Sequence, residues 1–174
     1  DSSFLPRKFT IAITGAAKDR TAAKVHDIGL MMRRGRDGTL GFEVIVGGGQ
    51  GRTPMIGKVV RPFLPKQHLL SYLEAILRVY NLLGRRDNLF KARIKILVHE
   101  VGAETFTGMV EEEWEQIKGG PVELPEGELE RILAYFAPPA YERLPAVSPA
   151  FEARAFEDRE FARWARVNLF AHKQ

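Results

Sequence analysis

The sequence predicts an α+β fold, an antiparallel β-sheet packed on one side by helices, with an extended Pro-rich C-terminal arm. Three features point there. Short apolar runs bounded by glycine fill the first third, apolar residues at three- and four-residue steps dominate the middle, and Pro138, Pro139, Pro145 and Pro149 crowd the end. The 174 residues are enough to bury a real core.

In order along the chain, residues 9–14 alternate bulky and small side chains as a strand would, and Gly15 ends the run. Residues 28–32 and 40–46 read as two more strands, and Arg34-Gly35-Arg36-Asp37-Gly38 between them has hairpin-turn chemistry. A glycine-rich loop, residues 47–54, follows, and then a helix with Pro65 in its first turn. Leu69, Tyr72, Leu73, Ile76, Leu77, Tyr80 and Leu83 form its apolar stripe, and Gly84 its C-terminal cap. Residues 87–101 fit either a helix capped by Asp87 or Asn88 or a strand. The helix is preferred because Gly102 ends the segment and another helix begins at once. In that next helix Phe106, Met109, Val110, Trp114 and Ile117 share a face, and Gly119-Gly120-Pro121 breaks it. A short helix over residues 127–136 precedes the Pro-rich arm, and residues 161–170 suit a strand or a short helix.

Composition narrows the function classes. No apolar run reaches the roughly 20 residues of a membrane helix. There is no cysteine, which excludes disulfides and thiolate metal sites and accords with the cytoplasm. The opening Asp1-Ser2-Ser3-Phe4-Leu5-Pro6 does not read as a signal peptide. It also lacks an initiator Met, so a piece of a longer chain is expected. Charge is uneven: residues 1–95 hold 18 Lys+Arg and 7 Asp+Glu (+11), and the rest 8 and 15 (−7), giving the net +4. A basic half suits an anionic partner, although the acidic half could equally neutralise it.

Several constellations could carry chemistry. Arg7-Lys8 beside the first strand could hold an anion or simply be a solvated edge. Gly47-Gly48-Gly49 could let backbone amides approach a ligand, or could be a plain turn. No P-loop lysine follows, and the surroundings are not those of a dinucleotide fingerprint. Arg85, Arg86, Lys91, Arg93 and Lys95 suit phosphate binding or a solvated face. His26, His68, His99 and His172 lack metal-ligand spacing and are read as structural.

Taken in order, Leu5-Pro6-Arg7-Lys8-Phe9, Val25-His26-Asp27-Ile28-Gly29-Leu30, Gly41-Phe42-Glu43-Val44-Ile45-Val46-Gly47-Gly48-Gly49 and Arg52-Thr53-Pro54-Met55-Ile56-Gly57-Lys58 resemble the sirohaem-binding region of the sulfite and nitrite reductase haemoprotein family. Likeness continues through a helix over residues 64–84 and Lys91-Ala92-Arg93-Ile94-Lys95. The resemblance implies six-electron reduction of sulfite to sulfide, or nitrite to ammonia, at a sirohaem linked through cysteine to a [4Fe-4S] cluster. It implies catalytic roles for Lys8 and Thr10, where the family carries Lys or Asn at the position of Thr10. It assigns Arg7, Gly47, Gly48, Gly49 and Arg93 to cofactor binding, and Arg52 joins them by its nearness to the loop. Residues 1–118 would be the sirohaem-binding domain, and 119–174 a short helix and linker arm toward a second half. Because the cluster-binding cysteines belong to that missing half, the chain alone is expected to be inactive. Expected partners are the rest of the polypeptide, sulfite or nitrite, and ferredoxin or a flavoprotein, with no nucleic acid and no membrane. The competing readings are a basic nucleic-acid-binding module, for which aromatics are poorly interleaved with the cations, and an interaction domain whose arm wraps a partner.

Overall fold

Glycine-bounded apolar runs become four strands, β1 (Ile11–Thr14), β2 (Ile28–Arg34), β3 (Leu40–Val46) and β4 (Lys58–Pro65), in one sheet of order β1-β2-β3-β4. The structure, a computed structural model, describes residues 4–170. It divides the chain into two compact units, one running to Glu130 and the other starting at Arg131. Asp1, Ser2, Ser3 and His172 lie outside the described residues.

In the first unit β2–β3 and β3–β4 are antiparallel, as expected, and β2–β3 closes in a turn where Gly38 takes φ +82°. β1 departs from the expectation: it pairs with β2 in parallel. The cause is the long connection over residues 15–27, which returns the chain to the starting end of the sheet, as a parallel pair requires. β4 is a strand that sequence reasoning left unassigned. Pro62 and Pro65 obscure it, yet proline is tolerated in this edge strand, beside register shifts in its pairing with β3. Pro65 therefore ends a strand instead of opening a helix.

A 3-10 turn (Lys66–His68) leads into α1 (Leu69–Leu83), followed by α2 (Ile94–Val101) and α3 (Ala103–Ile117). Gly84 does cap α1, its N–H donating to the Tyr80 carbonyl at 2.8 Å, but from an extended conformation. The stretch before α2 is not helical throughout. Asn88 caps a 3-10 turn (Leu89–Lys91), and the extended Arg93 then restarts the chain as α2. Tyr72, Ile76, Val79 and Tyr80 of α1 and Phe106, Val110 and Trp114 of α3 close over Ile28, Leu30, Val44 and Leu64 of the sheet to form the main core. The opposite face buries only a small cluster, Ala12, Ala23, Met31 and Ile45. Helices on one face, as the sequence predicts, leave the other to be covered by the short 3-10 turn Ala23–Val25.

α4 (Glu126–Tyr135) spans the boundary between the units. In the second unit, residues 137–148 form neither helix nor strand. Residues expected to prolong the arm instead form α5 (Pro149–Glu157), where Ser148 caps the helix and Pro149 occupies its first turn. α6 (Arg159–Asn168) follows, capped by Asp158. Phe151 and Phe161 meet edge-on at 5.3 Å between these two helices. No described helix is long and apolar enough to cross a membrane.

Phe106→Ala is expected to lower unfolding free energy by about 3–5 kcal/mol, since Phe106 is wholly buried. Phe90→Ala, at an exposed side chain, should stay within about 0.5 kcal/mol in the same urea titration.

Candidate functional site

Asp27, delivered by the 23–25 turn to the start of β2, is fully buried in the basic half of the chain. Its carboxylate receives four hydrogen bonds. Arg93 donates from Nε to Oδ1 (2.9 Å) and from Nη2 to Oδ2 (2.5 Å). Thr10 donates to Oδ2 from its backbone N–H (2.9 Å) and its Oγ1 (3.0 Å). The Asp27 carbonyl in turn accepts the Gly47 N–H at 2.9 Å. One acidic residue thus ties together three segments that the sequence had singled out separately. Thr10 also has its Oγ1 3.2 Å from His26 Nδ1. With its hydroxyl hydrogen given to Asp27, Thr10 has none left for an external oxyanion.

A second set of contacts fixes Arg7. Its Nη1 donates to the Leu89 carbonyl, and the Tyr80 hydroxyl lies 3.3 Å from the Arg7 carbonyl while donating to that of Ala92 at 2.8 Å. Burial raises the pKa of this phenol and the Asp27 charge adds to the rise, so Tyr80 stays a neutral donor at physiological pH.

The glycine loop is shaped mainly by its own chain. Gly47 has φ +86°, which favours glycine. A Cβ at Gly48 would lie 2.4 Å from the Lys24 carbonyl, and one at Gly49 would lie 2.6 Å from Lys95 Cδ. Lys95, only 7% exposed, runs its stem under Gly49 and donates from Nζ to the carbonyls of Thr53 (2.6 Å) and Gln50 (3.2 Å). Gly49 and Met55 exchange backbone hydrogen bonds at 3.0 and 2.8 Å, so the loop is pinned at both its neck and its tip.

These tethers bring Arg7, Arg52, Lys91, Arg93 and Lys95 around an open hollow of about 550 Å³. Glu100 is the single carboxylate on its lining, against those five cations. Phe90 is the one Phe, Tyr or Trp on that lining. Gly47 lines a neighbouring recess of about 350 Å³ that shares Met55, Lys95 and His99 with the hollow. The structure therefore gathers Arg7, Arg52 and Arg93, with Gly49 packed behind Lys95 and Thr10 one contact away through Asp27. Gly48 is buried, and Lys8 is exposed and lines neither space. Among the described residues no three His, Cys, Asp or Glu side chains converge as a metal site.

Sequence reasoning met Asp27 only within a family-like string and Lys95 only within a cluster of cations, and gave neither a role of its own. A clue to Asp27 was available: it is one of few acids in a strongly basic half, placed directly before an apolar strand. Lys95 was hidden among exposed-looking cations, and its burial depends on a loop distant in sequence.

The sequence pattern of the Nitrite and sulphite reductase 4Fe-4S domain family matches residues 1–118. Similar curated proteins include a sulfite reductase [NADPH] hemoprotein beta-component of Staphylococcus epidermidis, 33% identical over 108 residues, covering 58% of this chain and 19% of that protein. A sulfite reductase [ferredoxin] of Synechococcus elongatus is 36% identical over 115 residues, covering 62% of this chain and 18% of that one. A ferredoxin–nitrite reductase of Leptolyngbya laminosa is 35% identical over 112 residues, covering 64% and 22%. The solved structure of the Mycobacterium tuberculosis NirA protein superposes with a TM-score of 0.59 at 26% identity, covering 70% of this chain and 21% of that one. The chain spans about a fifth of the length of each of these proteins.

Asp27→Ala strands the Arg93 guanidinium and is expected to lower unfolding free energy by about 3–5 kcal/mol in denaturant titration.

Proposed function

The chain belongs to the nitrite and sulphite reductase 4Fe-4S domain family, and from that premise we propose that it forms the anion- and macrocycle-binding part of a sirohaem-dependent sulfite or nitrite reductase. The observation that carries this reading is the convergence of five cations on one hollow. The macrocycle has a rim of carboxylates, and charge-assisted hydrogen bonds to carboxylates are roughly twice as strong as neutral ones. Arg7 and Arg52 offer planar forks, while Lys91 and Lys95 offer compact charge. Arg93 has already given Nε and one Nη2 hydrogen to Asp27. What it keeps for a ligand is Nη1 and the second Nη2 hydrogen.

The donor set suits carboxylates. It contains no thiolate, because the chain has no cysteine. When bound, sirohaem with its coupled [4Fe-4S] cluster would supply electrons and the atom to which sulfur or nitrogen attaches. The cysteines would come from elsewhere in the polypeptide, and electrons from a ferredoxin or flavoprotein donor. Within this chain, Lys8 would place its exposed ammonium on an oxygen of the substrate anion and donate a proton as that oxygen leaves as water. Thr10 would act less directly, holding Asp27 and through it Arg93. The chain by itself would bind without turning over.

Titration of the chain with sirohaem is expected to give a saturable change in the visible spectrum, weakened by salt. An Arg7→Ala/Arg52→Ala variant should bind at least about tenfold more weakly, in line with two lost charged contacts. Affinity indifferent to both salt and the arginines would refute the role of the hollow. In the intact reductase, Lys8→Ala should lower kcat by about 100-fold while leaving the unfolding midpoint unchanged. Unaltered kcat would remove Lys8 from the mechanism.

A further inference from the structure

The basic cluster between Arg85 and Lys95 divides into two parts in the fold. Arg85 pairs with Asp87 at 3.0 and 2.6 Å and reaches Glu100 at 3.6 Å. Arg86 closes on the backbone carbonyl of Asn81 at 3.0 Å and on its side-chain oxygen at 2.6 Å. These two arginines brace their own loop and do not line the hollow, whereas Lys91, Arg93 and Lys95 do. Phe90 stands where the two parts meet, 89% exposed and on the lining of the hollow.

A lone exposed apolar side chain is ordinary on a protein surface and calls for no explanation. Phe90 differs in how firmly its backbone is held. Its N–H donates to Asn88 Oδ1 at 2.9 Å, and the Lys91 N–H donates to the Asn88 carbonyl at 2.9 Å. On either side, the Leu89 carbonyl accepts from Arg7 and the Ala92 carbonyl accepts from Tyr80. With the backbone so anchored, the entropy of placing the ring is largely lost on folding, and its burial by a ligand would be gained at little further loss. A clamped backbone that presents an unburied phenyl ring at a cationic rim suits a ligand with both an apolar surface and negative charge.

Cations alone cannot tell such a ligand from any other polyanion. Phosphate or a small polycarboxylate would satisfy the same guanidinium and ammonium groups. A tetrapyrrole differs in having a flat, conjugated, largely apolar ring, which an aromatic side chain can meet by offset stacking. We propose that Phe90 is a specificity-determining residue that packs against the face of the macrocycle while the five cations of the hollow hold its carboxylate rim. The inference rests on the macrocycle-binding reading and deepens it: charge supplies attraction, and Phe90 supplies the preference for a ring.

The test uses the intact reductase polypeptide, prepared without cofactors and titrated with the metal-free macrocycle. Leaving out the iron removes any bond to cysteine from the measured affinity. Phe90→Ala is expected to bind about tenfold more weakly, and Phe90→Tyr as tightly as the unsubstituted polypeptide. Salt dependence should be the same in both variants, because no charge is lost. Affinity for an aliphatic butanetetracarboxylate, which has charge but no ring, should not change with either substitution. A fluorophenylalanine in place of Phe90 should show an upfield ring-current shift of its fluorine resonance when the macrocycle binds. Unchanged macrocycle affinity in Phe90→Ala, equal weakening toward the ringless tetracarboxylate, or an unshifted fluorine resonance would overturn the role of Phe90 and leave the charge-based reading standing. Failure of the unsubstituted polypeptide to bind the macrocycle at all would overturn both.

Discussion

The buried carboxylate of Asp27 is the constraint on which the rest depends. An isolated charge in a core would cost several kcal/mol, so the fold must bring donors to it, and it does so from two distant places. Thr10 arrives from the segment leading into β1 and Arg93 from the turn before α2, while the Gly47 amide, at the end of β3, bonds the backbone carbonyl of the same residue. Meeting the needs of one acid therefore sets the mutual position of every segment that lines the hollow. Asp27 neutralises Arg93 inside, and Glu111, Glu113 and Glu100 of the acidic half pair with Arg61, Arg78 and Arg85, while the hollow itself keeps five cations against one carboxylate.

Much of this was legible in the sequence, where local rules and tertiary packing agree. The stripe from Leu69 to Leu83, the hairpin at Gly38 and the buried face of Phe106, Val110 and Trp114 obey periodicities that no distant contact overrides. β4 was not legible, because Pro62 and Pro65 argue locally against a strand and only its edge position permits them. The parallel β1 was likewise hidden, since the direction of a strand depends on the path of residues 15–27, which carry no strong pattern. For α5 the prolines around 138–149 pointed to an arm, while the same Pro149 is a good first residue for a helix when Ser148 precedes it.

The site was half legible. Arg7, Arg52 and Arg93 could be proposed as partners from family likeness and nearness, and the structure does place all three on one hollow. What could not be read was how each is held. Whether a guanidinium is free or already paired is decided by a carboxylate far off in sequence, and Arg93 is paired. The three glycines had suggested close approach by a ligand, yet the nearest atoms to each belong to Val98, to the Lys24 and His26 carbonyls, and to Lys95. Glycine marks a place where something comes close without saying what.

Lys95 gives this loop an unusual character. Glycine-rich segments are commonly pictured as soft flaps that stiffen only on meeting a ligand and lose affinity to the entropy of ordering. Here the ammonium clasps the Gln50 and Thr53 carbonyls from beneath, and its stem fills the space under Gly49. Much of the ordering is accomplished during folding, so under the proposed function an arriving anion would meet a rim already set in shape. Recognition at such a rim resembles a key meeting a rigid lock, with discrimination resting on fit and charge and little on rearrangement.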